Sequence, residues 1–156
     1  MKKSKEKIRN QIIKSIEVYK GKDGVVFYDS GNECENIVEL DANDLVVMKM
    51  NLDINSCLIL TTKCLFVIKN ESVIRINGNE IEEFNFLNHK KSKGVETIKE
   101  FNNPAEYKSW MYSGDFIIIK KDKTKIIVNL PNHDFGFCLL NAIKKLQFVT
   151  NKYEGI

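Results

Sequence analysis

The sequence contains few cysteines, prolines and glycines, the residues that cross-link a polypeptide, rigidify it or increase its conformational freedom. Its 156 residues include 4 cysteines, 2 prolines and 8 glycines. The cysteines stand at positions 34, 57, 64 and 138 and form no Cys-x-x-Cys pair, which argues against a disulfide scaffold and a zinc ribbon. No apolar run approaches the roughly 20 residues of a membrane-spanning helix, and no apolar signal-peptide segment follows the lysine-rich start. The sequence therefore predicts a cytoplasmic protein with reduced cysteines.

The chain does have enough apolar sequence for a core. Hydrophobic residues make up 43% of it, and a chain of this length buries roughly two-thirds of its unfolded surface without help from a metal. The formal net charge of +3 conceals an uneven distribution: residues 1–22 carry +6, residues 23–62 carry −7, and residues 103–156 carry +3. This asymmetry favours pairing between the first segment and the second.

A helix followed by short strands is predicted for the first half of the chain. Ile8, Ile12, Ile16 and Tyr19 recur at helical spacing and predict an amphipathic helix over residues 4–19. The spacing then changes to that of strands bounded by Gly, Asn and Asp clusters. The predicted strands are Val25–Tyr28, Cys34–Leu40 and Leu45–Met50, followed by three strands within Ser56–Ile76 that turn at Thr62-Lys63 and at Asn70-Glu71.

In the second half, a polar stretch precedes a hairpin and a final helix. Residues 87–113 contain a weak strand at Val95–Phe101 and a helix from Pro104 to Met111 that Asn103 starts. A hairpin follows, and Asp134 is the expected N-cap of the final helix. The hairpin strands are Asp115–Lys120 and Lys125–Leu130, and the predicted buried face of the helix consists of Phe135, Leu139, Ala142, Ile143 and Leu146.

These elements predict an α+β domain with a strongly bent antiparallel sheet, a partly open barrel, an N-terminal helix and a capping C-terminal helix. Residues 1–22 are the N-terminal amphipathic helix that packs on the domain, and residues 23–156 are the domain itself. Several strands are apolar on both faces; in one of them, Leu65 opposes Cys64 and Phe66. One helix cannot cover both faces, so the N-terminal helix or a second subunit is expected on the outer face.

One stretch of this pattern resembles a known family. The segment Leu58–Ile68, Leu-Ile-Leu-Thr-Thr-Lys-Cys-Leu-Phe-Val-Ile, followed by Ile74, Ile76 and Ile81, resembles the L-x-L-T-x-x-R-L-x-F core of bacterial PH-like and GRAM-like domains. In those families a strand ending in Leu-Thr turns into a second strand, and an Ile-rich third strand follows. The resemblance covers roughly residues 23–150 and implies a pleckstrin-homology-like fold with a binding role.

No catalytic, cofactor-binding or metal-ligating residue is predicted. His89 and His133 lack further ligands at the spacing of a metal site. The stretch rich in Gly and Lys at residues 20–24 matches no phosphate-binding loop. Carboxylates such as Asp41 and Asp44 are interpreted as parts of a solvated surface. The sequence accordingly predicts no enzyme, no cofactor and no identifiable small-molecule ligand.

The basic clusters are the remaining lead. Lys120, Lys121, Lys123 and Lys125 crowd the hairpin tip and could contact an anionic membrane, where each lysine contributes about 1 kcal/mol. Lysines at such a tip also protect a sheet edge from pairing with another chain. No aromatic platform accompanies them, so nucleic acid is not a favoured partner.

The main functional hypothesis is a non-enzymatic PH-like module that binds a protein partner or self-associates through its apolar outer sheet face or an exposed strand edge. Peripheral binding to anionic membrane lipids through the lysine-rich hairpin stays open, as does an immunity or antitoxin-type role. The resemblance does not extend to phosphoinositide binding. Asp29, Glu33 and Glu35 occupy the hairpin turn in which family members with that activity carry basic residues.

Overall fold

The computed structural model describes residues 4–28, 38–91 and 103–153 as four helices and eight strands. The described elements begin and end with a helix. In chain order they are α1 Lys5–Ile16, β1 Val25–Phe27, β2 Val46–Asp53, β3 Ser56–Thr61, β4 Cys64–Lys69, β5 Ser72–Asn77, β6 Ile81–Phe86, α2 Leu87–Lys91, α3 Pro104–Met111, β7 Gly114–Lys120, β8 Lys125–Leu130 and α4 His133–Lys152.

The strands form two antiparallel sheets. The first contains β1 to β5 in sequence order, and the second contains β6, β7 and β8 in sequence order. The predicted α+β class is confirmed, whereas the single bent sheet is replaced by two, with no closed barrel in the described part of the chain. The division occurs at Gly78–Glu80, where a turn of 3-10 helix follows β5 and the next strand pairs with β7 instead.

The chain divides into two compact units. The first consists of Met1–Asn79 and Asn141–Ile156, and the second of Glu80–Leu140. The first unit therefore contains the five-stranded sheet, α1 and the larger part of α4. The second contains the three-stranded sheet, α2, α3 and the beginning of α4.

Local periodicity predicted α1 and the meander of β3, β4 and β5 correctly. Ser4 caps α1 by accepting a hydrogen bond from the Lys7 N–H at 3.3 Å. The stripe of Ile8, Ile12 and Ile16 is buried. A turn of 3-10 helix extends the helix to residue 19, and the predicted turns between β3, β4 and β5 lie at the predicted positions.

Both faces of the first sheet are buried around β3 and β4. On one face Met48, Leu60, Leu65 and Ile76 are successive cross-strand partners and have no exposed surface. On the other face the apolar cluster includes residues that precede β2. Its members are Val38, Val46, Ile59, Cys64, Phe66 and Ile68, with Tyr28, Leu40 and Cys57 packed against it.

Other sequence predictions were wrong or lie outside the described residues. Val38, Glu39 and Leu40 are not in a strand, and the partner of β1 is β2, with Val25 opposite Met50. The rest of the predicted strand Cys34–Leu40 and all of the predicted strand Val95–Phe101 lie outside the described residues. Strand β6 was not predicted, because its polar residues conceal the apolar positions that pair with β7.

The start of α4 also differs from the prediction. Asn132, not Asp134, is the cap, because its side-chain oxygen accepts a hydrogen bond from the Phe135 N–H at 3.0 Å. Asp134 lies in the first helical turn, where a negative charge favours the positive end of the helix dipole. The predicted inward face is confirmed, since Phe135, Leu139, Ala142, Ile143 and Leu146 are buried.

An aromatic cluster forms the centre of the second unit. The ring centroids of Phe86 and Phe116 are 4.9 Å apart, those of Phe86 and Tyr112 are 5.6 Å apart, and those of Tyr112 and Phe137 are 4.6 Å apart. Gly136 lets α4 approach this cluster. A Cβ at that position would collide with the Tyr112 carbonyl and would lie 2.7 Å from the Phe86 ring.

Candidate functional site

Two lysines of the β7–β8 hairpin have carboxylate partners. The ammonium group of Lys120 lies 3.5 Å from a carboxylate oxygen of Glu80 and 3.9 Å from one of Asp122. The ammonium group of Lys123 donates to Glu82 at 2.7 Å. Exposed pairs of this kind contribute little to stability, but each carboxylate offsets the positive field that an anionic surface would meet.

The remaining two lysines of the predicted site, Lys121 and Lys125, are exposed. Between them, Asp122 accepts a hydrogen bond from the Thr124 backbone at 2.9 Å, and hydrogen bonding by Thr124 lowers the pKa of that carboxyl. The fold thus brings two of the four lysines beside three carboxylates, of which one belongs to the 3-10 turn before β6 and one to β6 itself. The sequence did not reveal this, because those two precede the hairpin by about forty positions.

A polar cavity of about 460 Å³ lies in the first unit. It is formed where the turn between β3 and β4, the end of β5 and the last turns of α4 come together. Its lining residues are Ile8, Asp41, Asn43, Thr62, Lys63, Arg75, Asn77, Asn79, Val149, Thr150 and Tyr153. The volume is in the range of small-molecule sites, although the lining is mostly polar.

Arg75 is the central charged residue of this cavity. Its guanidinium donates to the Asp41 carboxylate at 3.0 Å and to the Asn77 side-chain oxygen at 3.2 Å. The hydrogen bond with Asp41 raises the pKa of Arg75 above its ordinary value. The guanidinium carbon also lies 5.8 Å from the centroid of the Phe66 ring. Arg75 is therefore positioned by three side chains at the edge of the sheet.

A buried hydrogen-bond network lies behind the cavity wall. The Thr62 hydroxyl donates to the Asp44 carboxylate at 2.7 Å and accepts from the Leu45 N–H at 3.1 Å. The Cys64 thiol approaches the second carboxylate oxygen of Asp44 at 3.6 Å. Asp44 is only 2% exposed, so its interpretation as a surface carboxylate was wrong.

The Leu-Thr step of the resemblance has a physical basis in the turn that follows β3. The Thr61 hydroxyl accepts hydrogen bonds from the backbone N–H groups of Cys64 at 2.9 Å and Lys63 at 3.2 Å. A threonine at the end of a strand can thus close the turn with its own side chain. This explains the residue type without requiring any role in binding.

Strand β5 is the last strand of the first sheet in the described part of the chain. Residues Ser72 to Arg75 are exposed, with Val73 48% and Ile74 43% accessible. The Gly78 N–H donates to the Lys63 carbonyl at 2.9 Å. Because hydrogen-bonded pairs alternate along an antiparallel ladder, the backbone groups of Val73 and Arg75 point away from β4.

The remaining chemical candidates lack the surroundings of a reactive site. Burial raises the pKa values of Cys64 and Cys138 to about 12, which keeps both thiols protonated and weakly nucleophilic at neutral pH. Among the described residues, no three His, Cys, Asp or Glu side chains converge on a position that could hold a metal ion. No helix in the described ranges combines the length and apolar character needed to cross a bilayer.

The structure also contains a series of side-chain contacts at the start of α4 that the sequence did not predict. The Ser109 hydroxyl lies 3.2 Å from the Nδ1 atom of His133, and the Nε2 atom of His133 lies 3.7 Å from the Asp134 carboxylate. The His133 and Asp134 side chains are 46% and 39% exposed. Water therefore screens the interactions that would have to activate the serine, and the contacts fit a polar surface at the start of α4.

Comparison with known proteins gives no relative: no family model, no curated protein and no solved structure matches the chain significantly.

Proposed function

We propose that this protein is a non-enzymatic, cytoplasmic binding module of the PH-like type, which pairs β5 with an extended strand of a protein partner or of a second copy. The observation that carries the proposal is the exposed edge of β5. Strand addition obtains affinity from main-chain hydrogen bonds and specificity from neighbouring side-chain pockets. An immunity or antitoxin-type role would be one form of such protein binding.

The other three edges of the two sheets in the described ranges carry features that protect edges from pairing. Strand β1 is short, with three residues; β6 carries exposed Glu82 and Glu83, and β8 begins with exposed Lys125. Short strands and edge charges both discourage pairing with another chain. The only charged residue within β5 is Arg75, which is held by Asp41.

The side chains of β5 fit this use. Val73 and Ile74 present apolar surface on opposite faces of the strand, and the polar cavity adjoins the strand at Arg75 and Asn77. A partner strand hydrogen-bonded to Val73 and Arg75 would run past the cavity. The cavity would then offer hydrogen-bonding groups to a polar side chain of the partner.

The experiment measures association of the full chain by size-exclusion chromatography with light scattering over a range of concentrations. Val73→Pro removes an outward N–H but leaves the ladder to β4 intact. We expect a concentration-dependent dimer that Val73→Pro abolishes. Ile127→Lys is the matched control, because Ile127 is a 61% exposed residue on another edge strand, and this variant should still dimerise.

A monomeric wild-type chain would exclude self-association and leave the protein partner. Pull-down from the native host then compares the proteins retained by the wild type, Val73→Pro and Ile127→Lys. The proposal requires a protein that the wild type and Ile127→Lys retain and Val73→Pro loses. If all three retain the same proteins, β5 is not the docking edge and the proposal fails.

A further inference from the structure

The outer face of α4 combines lysines with an exposed aromatic ring. Phe148 is 49% exposed, and the ammonium groups of Lys145 and Lys152 lie 5.1 Å and 5.4 Å from its ring centroid. Lys145, Phe148 and Lys152 are separated by three and four positions, which places them on one side of the helix. We call this surface, together with Lys144, the basic-aromatic face.

The basic-aromatic face has no acidic neighbour on its own helix, because the one acidic residue of α4, Asp134, precedes Lys144 by ten positions. Residues 141–153 contain three lysines and no acidic residue. In the hairpin between β7 and β8, in contrast, the ammonium groups of Lys120 and Lys123 lie next to the carboxylates of Glu80, Glu82 and Asp122. Lys144 also lines a shallow groove with Gln147, Phe148, Asn151 and Lys152, which shows that these side chains are neighbours on the surface.

We propose that the basic-aromatic face docks on an anionic phospholipid bilayer. Lysines attract the negative surface of such a bilayer, and an aromatic ring between them enters the interfacial region. Tyr153, whose ring centroid lies 5.5 Å from the Lys152 ammonium, adds a second amphipathic ring at the same end. The expected binding partner of the basic-aromatic face is thus a surface with many negative charges rather than a single bound anion.

The position of the lysines favours a bilayer over nucleic acid. Single-stranded nucleic acids bind by stacking their bases on aromatic faces. Two ammonium groups lie over the Phe148 ring, so a base would have to displace a lysine to stack there. A bilayer interface requires no such displacement, because the lysines contact headgroups while the ring contacts the adjoining apolar layer.

The test is sedimentation of the full chain with vesicles at low salt. Vesicles of phosphatidylcholine alone are compared with vesicles of phosphatidylserine and phosphatidylcholine in equal parts. We expect binding to the anionic vesicles only, weakened by added salt. The triple variant Lys144→Gln, Lys145→Gln, Lys152→Gln should lose about fivefold in affinity per lysine, and hence on the order of 100-fold.

The matched control removes the same charge from the hairpin, by Lys120→Gln, Lys121→Gln and Lys123→Gln. This variant should lose less than about fivefold, because Lys120 and Lys123 already lie beside carboxylates. Circular dichroism establishes that both variants are folded. Equal losses in the two variants would show that only net charge matters and would overturn the proposal.

Three other results would also overturn it: no binding of the wild type to anionic vesicles, a larger loss in the hairpin variant, or a tighter complex with a single-stranded RNA oligonucleotide that the α4 variant abolishes. The test is independent of strand pairing at β5, because none of the substituted residues lies in that strand.

Discussion

Replacing Thr62 by valine removes the hydroxyl that links β3 to the residues before β2. The Thr62 hydroxyl donates to Asp44 at 2.7 Å and accepts from the Leu45 N–H at 3.1 Å. The hydrogen bond to the carboxylate is charge-assisted and contributes about 1.5–3 kcal/mol. Leaving the buried Leu45 N–H without an acceptor costs about 1–3 kcal/mol. Since the two effects share one hydroxyl, we expect the free energy of unfolding to fall by about 3 kcal/mol.

Urea unfolding followed by circular dichroism measures this loss. With a slope of about 2 kcal/mol per molar urea, the midpoint should fall by about 1.5 M. Thr62→Ser is the matched control, because it keeps the hydroxyl and removes only a methyl group, at a cost of about 1 kcal/mol.

A double-mutant cycle with Asp44→Ala isolates the contact between the two side chains. Once the carboxylate is absent, Thr62→Val no longer leaves a buried charge without its donor. The double variant should therefore be more stable than the sum of the single losses implies, by at least about 1.5 kcal/mol. A loss below about 1 kcal/mol for Thr62→Val, or a coupling within about 0.5 kcal/mol of zero, would refute the assigned network.

Two further predictions concern close packing and thiol burial. Gly136→Ala should lower the free energy of unfolding by about 2 kcal/mol or more, because the added methyl group meets backbone and a buried ring; an unchanged urea midpoint would contradict the packing of α4. With Cys34 replaced by serine, only the half-buried Cys57 should react rapidly with a thiol reagent at pH 8, whereas Cys64 and Cys138 should react only after unfolding. Their folded pKa values of about 12 also mean that their contribution to stability is complete below about pH 9 and is lost as the pH rises toward 12. Fast labelling of three thiols in the native protein would contradict the burial.

The elements whose apolar residues recur at regular spacing along the sequence were predicted correctly. In α1 the isoleucines recur at helical spacing, and in the meander of β3, β4 and β5 short apolar segments are separated by turn residues. Strand β6 was missed because its partner is distant in sequence. Its sequence, Ile-Glu-Glu-Phe-Asn-Phe, reads as a strand only once Phe84 and Phe86 are known to pair with β7.

The side-chain interactions of the first unit could not be predicted from the sequence. Asp41 and Asp44 stand three positions apart in an acidic, polar stretch, and nothing local distinguishes them. In the fold, one pairs with Arg75 at the surface and the other is buried against Thr62, which is 18 positions away. Burial of a carboxylate requires a distant donor, and the sequence does not identify that donor.

The two lysine clusters show the same dependence on distant partners. Counted along the sequence, the hairpin holds more positive charge than α4. Counted in space, carboxylates of β6, of the turn before it and of the loop lie beside two of the hairpin lysines, whereas two lysines of α4 lie over an uncharged ring. An anionic surface responds to the sum of nearby charges within about a Debye length. The reciprocal triple variants change the net charge equally and the local charge differently, so a difference in vesicle binding between them measures the local field.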